Sequence, residues 1–312
     1  MSDSAAWLQP VPRPRAGRLL RGFTVLELMV TCAVMASLVA LLLPALMAAR
    51  EASRRAQCTS RQRQVGVAMQ LCHDRSGGFP AAWQVATEDS LYAYGWANQI
   101  LPDLEQSNLR GEWTLKQRLP LGQAAADAMS LPALLCPSDI IESSFALTEE
   151  SAGERPTSGF DWQDDHRAAL ADLPTANFLG VYGTVEADEI ADLPLDERTN
   201  HGDGCIVVDR HVRLADLQRG ASHTLLVGER TMATVPSTWL GIDFRGEDAE
   251  CRLVGAAMTT PNCTTCDECE FASRHSGGSN FAWADGHVAL VSDSIDSRVY
   301  QELAKRTAGS LR

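Results

Sequence analysis

The chain has 312 residues, a formal net charge of −13 and nine cysteines. The acidity is uneven: the first 22 residues sum to +3 and residues 50–63 to +4, so with Glu27 also set aside, residues 64–312 carry −19. A surface that acidic repels phosphate backbones, which excludes nucleic acid as a partner of this part and leaves divalent cations as the more plausible charged ones. The length allows one or two domains with a substantial core.

Arg13, Arg15, Arg18 and Arg21 precede Gly22, after which Phe23 to Ala49 is apolar except for Glu27. About 20 such residues cross a bilayer as a helix, so this run is long enough to span. A secretory signal would have a shorter apolar core followed by its small-residue cleavage site, whereas here the small residue comes first. The arrangement resembles the prepilin signal of type IV pilins and type II secretion pseudopilins. That resemblance implies cleavage between Gly22 and Phe23 by a prepilin peptidase and methylation of the new Phe23 amine. It also implies that Glu27 meets the amine of a neighbouring subunit, because a carboxylate in lipid persists only with a partner. The alternative is an ordinary anchor with Glu27 among the headgroups. Basic residues flank the span on both sides, so charge alone does not orient it. The resemblance places the N-terminus in the cytoplasm and the head in the periplasm, beyond an inner membrane.

Beyond the span, residues 48–58 lack Pro and Gly, and Val65, Ala68, Met69 and Cys72 recur at helical spacing, so the helix is expected to continue under a globular head. Pro44 is expected to bend or locally melt it. Ser76-Gly-Gly-Phe-Pro80 ends it. The organisation is thus a leader, 1–22; a transmembrane helix and amphipathic stalk, 23–76; and a head, 77–312. Tyr94–Glu105 reads as a short helix, and 148–175 as a polar surface excursion. Strands are expected at 177–185, 205–208, 223–229, 280–284 and 287–291, the last two joined by a two-residue Asp285-Gly286 hairpin with positive φ at both positions. Val299, Leu303 and Ala304 give a closing helix its apolar face. The class is α+β, a pilin-like long helix on an antiparallel sheet.

Ala48–Arg55, Leu134-Leu-Cys-Pro-Ser-Asp139, Ala221–Arg230, and His275-Ser-Gly-Gly followed by Asp285-Gly286 resemble the DUF1559 family, chains with a prepilin N-terminus and a C-terminal H-x9-DG segment, here 275–291. The family supplies no established chemistry. His275 and Asp285 either meet at a hairpin mouth to bind a metal or a partner subunit, or serve only a loop and a turn; one His and one Asp do not complete a coordination shell, and the second reading is favoured.

Cys32 lies in the apolar run and eight cysteines lie outside it. Cys58 and Cys72 cannot pair along one helix, being about 21 Å apart. Cys251, Cys263, Cys266 and Cys269 could bind zinc, but in an oxidising compartment disulfides are favoured. Asp164, Asp165 and His166, and likewise Asp188 and Glu189, read as solvated surface. Acidic pseudopilin loops sometimes hold calcium, though no D-x-[DN]-x-[DN]-G pattern is present. No cofactor is therefore expected, with calcium or zinc as the alternative. Hydrolase, metalloprotease, phosphate-loop and dinucleotide motifs are absent, so no enzyme is expected. Two readings remain: a pseudopilin-like structural subunit partnered by its peptidase, the inner membrane and other subunits, or a membrane-tethered module whose head binds a glycan or solute. Loss of assembly on changing Glu27 separates them.

Overall fold

The computed structural model describes residues 22–85, 90–106, 122–139, 142–149, 169–188, 202–208 and 210–308. The run at 164–166 and Glu189 lie outside them. The chain divides into two compact units, Met1–Arg50 and Glu51–Arg312.

Helix α1 (Val25–Ser76) begins at a capping box. Thr24 Oγ1 accepts the Glu27 N–H at 3.2 Å, while Glu27 Oε2 accepts the Thr24 N–H and hydroxyl, each at 2.9 Å. Thr-x-x-Glu is the sequence signature of this reciprocal cap, which satisfies two otherwise orphaned donors. Glu27 therefore has a local role that the sequence reading did not assign. The large apolar side chains from Phe23 to Met47 are 49–77% exposed in the single chain. The helix is long and apolar enough to cross a membrane. It runs through Pro44 without interruption, so the expected melting there does not occur. It stops at Gly77, whose φ of +79° suits glycine and whose N–H reaches His73 O at 2.8 Å. In the second unit α1 buries Cys58, Gln62, Val65, Gly66, Ala68, Met69 and Cys72, a stripe at three- and four-residue spacing.

The first strands are β1 (Trp83–Val85) and β2 (Tyr92–Gly95), followed by α2 (Ala97–Ile100), a 3₁₀ turn (Leu101–Leu104) and α3 (Gln123–Ala128). The helix expected from Tyr94 thus starts later, because Tyr92–Gly95 pairs with Gly241–Asp243. Next come β3 (Ser144–Thr148), β4 (Ala169–Ala176) and β5 (Phe178–Gly183). Strand β4 corrects the reading of 169–175 as part of a surface excursion, since its alternating Leu173 and Ala171 are buried against β3; residues 150–168 of that excursion lie outside the described residues. The remaining strands are β6 (Ile206–Val207), β7 (Arg210–His211), β8 (Leu225–Glu229), β9 (Ser237–Thr238), β10 (Gly241–Asp243), β11 (Val254–Ala256), β12 (Gly278–Trp283) and β13 (Val288–Ser292), before α4 (Ser297–Ala304).

The largest sheet has the order β11-β5-β8-β12-β13. Three of its pairings are antiparallel, but β11 lies parallel to β5, so the sheet is mixed rather than wholly antiparallel. Gly228 in β8 faces the edge-to-face rings of Phe271 and Phe281, and a Cβ there would come within 2.4 Å of Phe271. Tyr300 and Ala304 of α4 join Phe271 and Phe281 in one apolar cluster, whereas Val299, expected to face inward, is exposed. The β12–β13 connection is a three-residue loop, Ala284-Asp285-Gly286, since Trp283 and His287 are its closing pair. Only Gly286 has positive φ, +90°. The buried Ala284 donates its N–H to Thr224 O at 2.9 Å, which holds it in the ordinary region and makes a type I turn with a glycine bulge the better fit. This turn approaches α1 at Gly66, and Gln70 of α1 donates to Ala284 O.

Candidate functional site

Four segments distant in sequence bring Cys58, Cys136, Glu229 and His275 together, all buried, with one donor atom from each and all four atoms within 4.8 Å of one another. Cys58 comes from the buried stripe of α1, two turns beyond Arg50. Cys136 lies in the turn after Leu134-Leu135, where its N–H is held by Asn177 Oδ1 at 2.8 Å. Glu229 is the last residue of β8, turned away from the face that Gly228 presents to Phe271. His275 precedes β12, its N–H on Ser273 Oγ at 3.1 Å.

The contacts form a closed set. The Cys58 thiol donates to Glu229 Oε1 at 3.2 Å, His275 Nε2 is 3.3 Å from the same oxygen, and Nε2 is 3.4 Å from Cys136 Sγ. Around them, Asn280 Nδ2 donates to Glu229 Oε2 at 3.1 Å. Gln62, one turn beyond Cys58, donates to Asn280 O at 2.9 Å and to Val227 O at 3.2 Å. His275 Nδ1 faces Glu51 Oε1 at 3.5 Å, and that oxygen also accepts from Ser138 at 3.1 Å. Asn177 reaches Asp139 Oδ2 at 2.6 Å, and Asp139 in turn accepts from Thr231 and the Met232 N–H.

The electrostatics polarise the cluster. Burial opposes charge on His275, but Cys136 and Glu229 outweigh it and lift the imidazole to about 10. Burial likewise opposes the Glu229 carboxylate, and His275 outweighs it, holding the group below its ordinary range. The closeness of the two sulfurs splits them, lowering Cys136 and raising Cys58, which burial raises further. Two sulfurs, an imidazole and a carboxylate thus meet in one buried space, and each offers a lone pair or becomes able to by losing a proton.

The residues singled out from sequence fall elsewhere or into new company. His275 does not join Asp285: Asp285 Oδ1 takes the His287 Nδ1 contact at 2.6 Å and the His287 N–H at 3.1 Å in a partly exposed turn. The His275 side chain is instead fully buried, among Cys58, Cys136 and Glu229. Cys251 is bonded to Cys269 and Cys263 to Cys266. Asp188, read from sequence as solvated surface, stands beside this Cys251–Cys269 bridge, whose sulfurs are spent on each other. Among the described residues Cys32, Cys58, Cys72, Cys136 and Cys205 remain thiols. Gly22 and Phe23 are exposed ahead of α1.

Sequence reasoning missed Cys58, Cys136 and Glu229, none of which has a spacing signature. A signal was available in the order of short segments: 48–55 supplies Glu51, 134–139 supplies Cys136, 221–230 supplies Glu229, and 275–278 supplies His275. Their convergence gives those segments a shared purpose. Residues 47–298 match the family model described as "Protein of unknown function (DUF1559)". No curated protein matches the chain, and no solved structure does.

Proposed function

The chain belongs to the DUF1559 family, and we propose that this member is a pseudopilin-like structural subunit, cut between Gly22 and Phe23 by a prepilin peptidase and stacked through α1 into a short periplasmic filament. The observation that carries this reading is the uncovered apolar face of α1: from Phe23 to Met47 every large side chain is at least 49% exposed, with Glu27 the one charge. A bilayer covers such a surface in the stored subunit. Other copies of the same helix cover it in a filament, where close packing rather than hydrophobic transfer drives association. Cleavage after Gly22 leaves the new amine one turn from Glu27, and an amine of the next copy offsets the cost of a carboxylate in lipid. The head stays on the periplasmic side of an inner membrane.

The cap between Thr24 and Glu27 dictates the test. Glu27→Ala would remove the charge and about 1 kcal/mol of helix capping together. Glu27→Gln keeps an acceptor for Thr24 and removes only the charge. In cells, Glu27→Gln is expected to insert and fold as the wild type but to lose cross-linking between neighbouring α1 helices. Unchanged cross-linking favours the tethered binding module. Native protein beginning at Met1 with an unmodified amine, determined by mass spectrometry, overturns the processing step.

A further inference from the structure

We propose that Cys58, Cys136, Glu229 and His275 are the ligands of one structural zinc-class divalent ion. Thiolate, neutral imidazole and carboxylate are all zinc donors and structural zinc is four-coordinate; binding here releases to solvent the protons held by the cysteines and the imidazole. Bonds of about 2.0–2.3 Å arranged tetrahedrally place neighbouring donors about 3.3–3.8 Å apart. The Cys58–Glu229, Glu229–His275 and His275–Cys136 contacts, at 3.2, 3.3 and 3.4 Å, lie close to that range, and the remaining donor pairs fall within 4.8 Å. One ion needs only a small adjustment of these atoms.

The surroundings are those of a ligand set. A zinc-bound imidazole is normally oriented by a carboxylate on its other nitrogen, and Glu51 stands 3.5 Å from His275 Nδ1, a buried nitrogen with no hydrogen bond of its own. The second oxygen of Glu229 is fixed by Asn280, and the Cys136 backbone by Asn177. Once deprotonated, the two sulfurs and the carboxylate are three buried negative charges, and a dication bound among them offsets most of that cost. All four side chains come from protein and none is exposed, so no position is left for substrate: the ion ties α1 to the sheet and does not catalyse. This site is distinct from the loop cysteines 251–269.

The test uses the full-length protein in detergent, loaded with zinc sulfate, desalted and analysed for metal. One equivalent of zinc is expected in the wild type and in the Cys263→Ser/Cys266→Ser double variant. Cys136→Ser and His275→Ala should each weaken zinc at least about tenfold. Because either variant could fail to fold, cobalt is also loaded into the wild type, where thiolate-to-cobalt charge-transfer and tetrahedral d–d bands are expected. Absence of those bands overturns the assignment. So does wild-type protein that retains no zinc and carries a Cys58–Cys136 disulfide by peptide mapping, or zinc lost from the 263/266 variant while Cys136→Ser keeps it.

Discussion

Glu229 and Arg230, consecutive residues at the end of β8, look onto two groups of cysteines that differ in kind. Glu229 receives the Cys58 thiol beside Cys136 and His275. Arg230, fully buried, donates to Cys251 O, to Glu268 O at 3.3 Å and to Ser237 Oγ at 2.8 Å. On the Arg230 side the sulfurs are spent on each other, 18 residues apart in the chain; on the Glu229 side they stay thiols and meet across 78 residues. The first arrangement fastens a loop locally. The second gathers donor atoms from four segments and is suited to hold something.

This contrast is most strongly exposed by Cys251→Ser. Opening a loop of that size should cost about 3 kcal/mol of stability while leaving the zinc content unchanged. A thermal melt with metal analysis of the same sample checks both, and joint loss would dissolve the distinction between the two groups. A smaller effect of opposite sign is expected at Asp248, beside the disulfide, where burial and then Glu268 push the carboxyl up to about 6 from 3.8. The folded chain holds that proton more tightly than the unfolded one, so this residue destabilises the protein progressively as pH rises from about 4 through 6. Asp248→Asn should therefore stabilise at pH 7.5 by about 2 kcal/mol, the roughly 3 kcal/mol of the full shift being reduced by solvent at a half-buried site, and by nothing near pH 4. Asparagine also tolerates the backbone there, at φ +49°. Equal gains at both pH values would assign the effect to something other than charge. Smallest is Cys263→Ser, in a half-buried bridge spanning three residues, which should cost about 1.5 kcal/mol by the same melt.

How much of this was legible follows from range. Helix α1 could be read because its signals are local: an apolar run, a stripe at helical spacing, and Gly77 to end it. The β12–β13 hairpin was visible for the same reason, although its loop gained a residue when the Ala284 N–H found Thr224, a partner no local pattern contains. Clustered cysteines at 263, 266 and 269 drew attention as a metal motif because their spacing is short. Cys58 and Cys136 have no such spacing, and each reads alone as a small buried apolar residue. Glu229 ends an apolar strand, where a lone carboxylate reads as its solvated end. Only β8, set between β5 and β12, turns it inward. The parallel strand β11 was likewise invisible, since Val254–Ala256 is too short for a periodic signal.

Long range also sets a timetable. His275 leaves the ribosome 217 positions after Cys58, and the Cys58–Glu229 and Cys136–His275 contacts span 171 and 139 residues. At 5–20 residues per second, the first thiol waits about 10–40 s for its last companion. Closing such large loops costs little more entropy than closing moderate ones, so the delay is one of synthesis rather than of search. During that interval Cys58 and Cys136 are without the histidine that completes their enclosure, and oxidants met then can couple them before the head has closed.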